Sequence, residues 1–259
     1  MFCLRFLALG LAIEVLPAAA GVADLWSHRQ QAQEPISKLG DCQTTTTNTK
    51  TNEFAVTPDD IIKANRDGFF FENPETDCKY VSQPYIYKAF KTLETDLSRL
   101  FTLINKDVHF QIVGHHPGAG IYHDLMHFYV NALRRVSITA SEHPDAFRVN
   151  PMGIHGGCDE EWSVQEMNFK GTANSGLDFD IVNVWVTRWS QEEQMIQVRT
   201  YIDSTRVSQM LHENEIWWNA TRYTDHHEFE PGPAGMPNLT ELEQLMPEKD
   251  RPQRSGLKV

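Results

Sequence analysis

An α+β fold is predicted by three features of the chain. Apolar residues recur at helical spacing over Ile86, Phe90, Leu93, Leu97, Leu100, Phe101 and Ile104. Strand-like alternation appears in Asp107–Val113, Trp162–Lys170, Leu177–Trp189 and Met195–Asp203. The middle two of those runs flank the turn GTANSG, as the arms of a long hairpin do.

The elements follow in order. Thr57-Pro58-Asp59-Asp60 opens a short helix with a capping hydroxyl, a first-turn proline and acids at the positive dipole end, and that helix should stop near Gly68. Ser82-Gln83-Pro84 opens a second, read as one long amphipathic helix to Ile104. After the first strand comes the turn-rich GHHPGAG, then a helix over Tyr122–Val136 with the stripe Leu125, Phe128, Tyr129 and Leu133. The hairpin and the Met195–Asp203 strand precede a helix at Thr205–Asn214. A tail from Asp225 carries FEPGPAGMP and the short helical run NLTELEQLM.

With 259 residues, 41% hydrophobic and 22% charged, the chain suits one domain plus extensions. Its net charge of −12 argues against nucleic acid or an anionic membrane as the main partner, because both need basic patches. Residues 1–20 have the arginine, apolar run Phe6–Ile13 and small residues Ala18–Ala20 of a secretory signal peptide, too short for a permanent membrane anchor. A secreted or secretory-pathway protein is therefore expected. The divisions are the signal, an N-terminal extension over 21–81, a domain over 82–224 and a tail over 225–259.

Loss of the signal removes Cys3 and leaves Cys42, Cys78 and Cys158, of which two should pair in an oxidising compartment. Cys42–Cys78 is the expected bridge, both lying in the extension, with Cys78–Cys158 the second pairing. Sequons at Asn219 and Asn238 fit a glycoprotein.

The order of elements, with GAGIYHDLM, DIVNVWVTRW and IQVRTYIDSTRV as its most specific pieces, resembles the SnoaL-like branch of the NTF2-like superfamily over about Ser82 to Glu215. The resemblance implies a cone, in which a curved antiparallel sheet wraps a long helix and encloses one apolar pocket. It implies polyketide or terpenoid cyclisation, dehydration or isomerisation, a fungal biosynthetic setting and no cofactor. Many such proteins only bind, so fold does not settle function.

Strand alternation assigns the pocket face. Val198, Thr200 and Ile202 share one side of the last strand, Arg199, Tyr201 and Asp203 the other. By the resemblance, the working carboxylate of the epoxide-hydrolase branch falls at Thr200, which disfavours that chemistry; Asp203 reads as the cap of the helix behind it. Glu166 and Asn168 take the places of the hydrolase's arginine and second aspartate. The inward set on the hairpin is then Trp162, Val164, Glu166 and Asn168 with Ile181, Asn183 and Trp185, and a one-residue slip would reverse any strand. Glu166 is the expected acid or base, Asn168 and Asn183 orient a carbonyl, Thr200 supplies a hydroxyl, and His115 or His127 transfers a proton. Tyr122, Trp162, Ile181, Trp185 and Ile202 are the expected substrate walls. For the tryptophans plain core packing is an equal reading, and for Glu166 a solvated outer face.

His123 and His127 in HDLMH lack the glutamate of HExxH, so no metal is expected. Trp217-Trp218 would seal the cone or form a subunit contact. The expected function is a cofactor-independent cyclase, dehydratase or isomerase acting on a small apolar molecule, conceivably by cycloaddition. A non-catalytic carrier of the same fold is the alternative, and an interaction module dimerising through the outer sheet face is the third reading.

Overall fold

Local sequence signals start most of the elements. The computed structural model describes residues 54–215 and 225–252. The signal segment, Cys42, Trp217-Trp218 and Asn219 lie outside them. Helix α1 (Pro58–Arg66) begins at a capping box in which Thr57 and Asp60 bond each other's backbone N–H, and ends before Gly68. Helix α2 (Gln83–Thr92) is capped by Ser82, whose hydroxyl accepts from the Tyr85 N–H at 3.2 Å.

The single helix expected from Ser82 to Ile104 is divided. Asp96 accepts from the Ser98 N–H at 3.0 Å and starts a new segment, a 3-10 turn Leu97–Arg99 followed by α3 (Leu100–Leu103). An Asp side chain that bonds nearby backbone donors competes with helix continuation. Ile104 already belongs to β1 (Ile104–Val113).

Six further strands complete one sheet: β2 (Gly120–Tyr122), β3 (Arg148–Gly156), β4 (Trp162–Thr172), β5 (Asp178–Trp189), β6 (Met195–Tyr201) and β7 (Asp225–His226). Their order is β3-β4-β5-β6-β1-β2-β7. The expected antiparallel core spans β3 to β6; β6–β1 and β2–β7 pair in parallel. Strand β3 has no sequence counterpart above because Pro151 and Gly153 interrupt its alternation. The register shifts between those two residues on an edge strand, where a proline costs no ladder bond.

Tyr122 ends β2 instead of opening a helix. Asp124 caps the helix, which runs Leu125–Phe128, through a π-helical turn Tyr129–Leu133, to Arg134–Ile138 (together α4). The π turn carries Asn131, which holds the C-terminal arm at both ends of its amide: it donates to the Glu228 carbonyl at 2.8 Å and accepts from the Glu230 N–H at 2.7 Å. Beyond the arm, helix α6 (Leu239–Leu245) lays Leu242, and Met246 just after it, into the main core. Helix α5 (Ser204–Glu215) lies against Phe179 and Ile181 through Val207, Met210 and Leu211. Among the described residues no helix is long and apolar enough to cross a membrane.

The disulfide is Cys78–Cys158, not Cys42–Cys78. Backbone contact decides it. Tyr80 N–H donates to the Cys158 carbonyl at 2.8 Å and Cys158 N–H to the Val81 carbonyl at 2.7 Å, which holds the two Cα atoms 4.6 Å apart. Gly157 is required for this approach: it sits at φ +78°, and a Cβ there would meet the Val81 carbonyl at 2.8 Å.

Candidate functional site

The inner side of the sheet, the turn after α2 and helices α3 to α5 line a cavity of about 660 Å³, within the roughly 300–1,000 Å³ typical of small-molecule sites. Aromatic and aliphatic side chains make most of its wall: Phe110 and Ile112 of β1, Phe128 and Ala132 of α4, Phe169 of β4, Phe179 and Ile181 of β5, and Val207 and Met210 of α5. Phe110 stacks on Phe128 with centroids 3.7 Å apart, and Trp185 meets Phe110 and Phe90 edge-on at 5.4 Å.

Among the polar lining residues, His116, Asn183, Trp185 and Thr200 stand apart. His116 Nε2, Asn183 Oδ1, Trp185 Nε1 and Thr200 Oγ are each buried and without a hydrogen-bond partner among the described residues. An unmet buried polar group costs about 1–3 kcal/mol, so four around one cavity are a large concession. The other polar residues of the same sheet face make no such concession. Ser163, Gln165, Thr187 and Trp189 bond one another, with Trp189 Nε1–H donating to Ser163 Oγ at 2.8 Å and Gln165 Nε2–H to Thr187 Oγ at 3.0 Å. Polar groups are thus satisfied where the sheet is packed and unsatisfied where it faces the cavity.

His116 is the residue that sequence reasoning missed. It is 2% exposed, and burial, with the nearby charges of Arg135 and His115, lowers its pKa to about 4. The ring is therefore neutral near neutral pH. Its Nδ1 accepts from the Gly118 N–H at 3.2 Å, which puts the single ring proton on Nε2. The GHHPGAG loop holds it in place. Tyr122 OH donates to the Gly118 carbonyl at 2.8 Å, and Arg135 donates to the Pro117 carbonyl at 2.9 Å. Gly114, at φ +141°, lets α5 close over the loop, since a Cβ there would meet Ser204 Oγ at 2.3 Å. A signal for His116 was present: Val108, Phe110 and Ile112 face inward, and continuing that alternation reaches His116 and leaves His115 outside.

Other expected site residues divide cleanly. Asn183, Thr200, Trp185, Ile181 and Ile202 line the cavity together. On β4 the face is reversed. Met167 pairs with Asn183 and Gln165 with Trp185, so the inward set is Ser163, Gln165, Met167 and Phe169. Glu166 and Val164 therefore lie on the outer side, Trp162 is exposed there, and Asn168 donates to Asp180, itself paired with Lys170 at 2.8 Å. The slip arises because Met167 and Asn168 are both buried and the polar residues Ser163 and Gln165 occupy core positions, which inverts the apparent pattern. His115 is exposed. His127 is held by Asp124 at 2.6 Å and stacked on Phe229, outside the lining. Tyr122 is buried behind the loop, stacked on His226 at 4.4 Å, and supports the wall without forming it.

At the rim stand Glu94, Asp145 and Arg148. Burial alone would raise the Glu94 carboxyl, but hydrogen bonds from Lys91 at 2.7 Å and the Val149 N–H at 3.0 Å, with the charges of Lys91 and Arg148, hold it below the ordinary range. It is an ionised, engaged acid. Asp203 accepts from the Arg206 N–H at 3.1 Å and caps α5, away from the chemistry.

No family model matches the chain. The dimerizing cyclase tstC of Talaromyces stipitatus is 42% identical over 177 residues, which cover 67% of this chain and 78% of that protein. The dimerizing cyclase phiC of a fungal species is 40% identical over 167 residues, 64% of this chain and 73% of that one. Among solved structures, an NTF2-like protein of Burkholderia thailandensis aligns with a TM-score of 0.39 at 18% identity, over 51% of this chain and 98% of its own.

Proposed function

The chain belongs to the family of the fungal dimerizing cyclases, and on that premise we propose that its cavity joins and closes rings in an apolar natural-product intermediate by confinement and hydrogen bonding. The observation that carries this reading is the set of four unpartnered polar atoms on residues of a mainly apolar cavity lining. His116 Nε2–H, Trp185 Nε1–H and the Thr200 hydroxyl are donors for a carbonyl oxygen whose negative charge grows as a new carbon–carbon bond forms. A neutral imidazole can polarise such an oxygen without giving up its proton. Asn183 Oδ1 accepts from a substrate hydroxyl or enol. Each of these atoms is shielded from water, so a bound molecule meets them only as the lining side chains adjust around it, and in a low-dielectric setting each bond formed is worth more than in solvent. Holding two reacting carbons in contact can remove roughly 7–11 kcal/mol of barrier in the most favourable cases.

A secretory compartment fits the Cys78–Cys158 bridge. A homodimer through the outer sheet face is supported by the exposed apolar side chains Trp162, Val182 and Tyr201; light scattering of the purified chain tests it. The activity test uses the compound that accumulates in the host when the gene is deleted. Purified protein should convert it to a cyclic product detected by mass spectrometry. Binding without conversion would favour a carrier.

A further inference from the structure

On the outer face of the sheet three histidines stand in a row: His109 in β1, His123 just after β2 and His227 just after β7. Phe110 pairs with Tyr122 in an antiparallel ladder, so His109 of β1 faces His123. Tyr122 pairs with His226 in a parallel one, so His123 stands beside His227. The His123 and His227 rings lie parallel, 4.7 Å apart at 6°, and the His109 ring is 5.8 Å from that of His123. Asp225, two residues before His227 and hence on the same face, binds His123 Nε2 through one oxygen and His227 Nε2 through the other at 3.2 Å. One ligand atom from each of His123, Asp225 and His227 lies within 4.8 Å of the other two.

We propose that His123, Asp225 and His227 bind a divalent transition-metal ion, with zinc the best match, and that the ion fastens the C-terminal arm to the sheet. Two imidazole nitrogens and a carboxylate are a ligand set zinc accepts readily, leaving a fourth position for water or His109. The three ligand atoms lie within 4.8 Å of one another, and rotation of the two imidazole rings, which now stand parallel, would aim them at one ion. Two ligands come from the arm and one, His123, from the residue that follows β2. Bound metal therefore stabilises a strand of two residues that pairs with β2 alone in the sheet order. The site is not the i, i+4 pair of HDLMH: His127 is turned to Asp124 and Phe229, while His123, which precedes α4, meets Asp225 and His227. This site lies on the face opposite the cavity and does not depend on the cyclase reading.

The test is isothermal titration of chelator-treated full-length chain with zinc chloride, alongside limited proteolysis of the arm. The expected result is one ion per chain, with slower cleavage within 225–252 when zinc is present. His227→Ala and Asp225→Asn should each weaken binding at least about tenfold, while His115→Ala leaves it unchanged. Circular dichroism in zinc-free buffer separates loss of ligand from loss of fold. No zinc binding by the unsubstituted chain, or binding that survives both His227→Ala and Asp225→Asn, would overturn the proposal.

Discussion

Trp185 and Thr200 are register partners across β5 and β6, and the indole N–H of one and the hydroxyl of the other are both buried without a hydrogen-bond partner among the described residues. Neighbouring polar groups in a stable core usually bond one another, as Ser163 and Thr187 do at 3.0 Å on the same face. Trp185 and Thr200 do not. An interior that leaves such a pair open keeps stability in reserve for a bound molecule.

Thr200→Val separates stability from activity. Removing an unpaired buried hydroxyl should leave the unfolding free energy unchanged or raise it by up to about 1 kcal/mol. Ring closure should slow by roughly tenfold or more, as when one donor to a developing oxyanion is lost. Urea denaturation and turnover measured on the same preparation check both halves. A residue with a merely structural role would lose stability instead.

His116 gives the fold a pH signature. Its folded pKa of about 4 lies below the ordinary 6.5. Between those values the unfolded chain takes up a proton that the folded chain does not, so stability falls as pH drops through this window and levels off below it. The full span is worth roughly 3 kcal/mol. Denaturation curves from pH 7 to 4 should show this loss in the unsubstituted chain relative to His116→Asn, whose side chain does not titrate.

Glu166→Gln should change turnover by less than about twofold, because Glu166 lies on the outer side of β4. Steady-state assays check it, and a large loss would restore Glu166 as the acid or base.

Reduction of Cys78–Cys158, or Cys78→Ser, should cost about 2–5 kcal/mol, since the bridge closes a span of 80 residues. Parallel denaturation with and without reductant measures it. The same cost from Cys42→Ser in the absence of reductant would contradict the observed pairing.

Much of this was legible in the chain. Helix starts at Thr57 and Ser82, the hairpin around GTANSG, the cap at Asp203 and the inward faces of β5 and β6 are local signals, and the structure carries each of them. What failed is non-local. Buried Ser163 and Gln165 look solvent-facing until their partners Thr187 and Trp189 are in place from the next strand. Pro151 hides β3, an edge whose pairing depends on β4. Cys158 is chosen over Cys42 by backbone bonds to Tyr80 and Val81 that no spacing rule encodes. The signal for His116 lies past the end of β1, beyond the strand whose alternation carries it.

The most direct test of the cavity reading is the nitrogen-15 NMR spectrum of the tryptophan indoles on adding the compound that accumulates in the deletion host. Trp189 Nε1–H already donates to Ser163 and serves as an internal reference. The Trp185 resonance should move downfield as its proton gains an acceptor, while that of Trp189 stays fixed. Turnover with the Trp185 signal unmoved would place the chemistry elsewhere in the molecule.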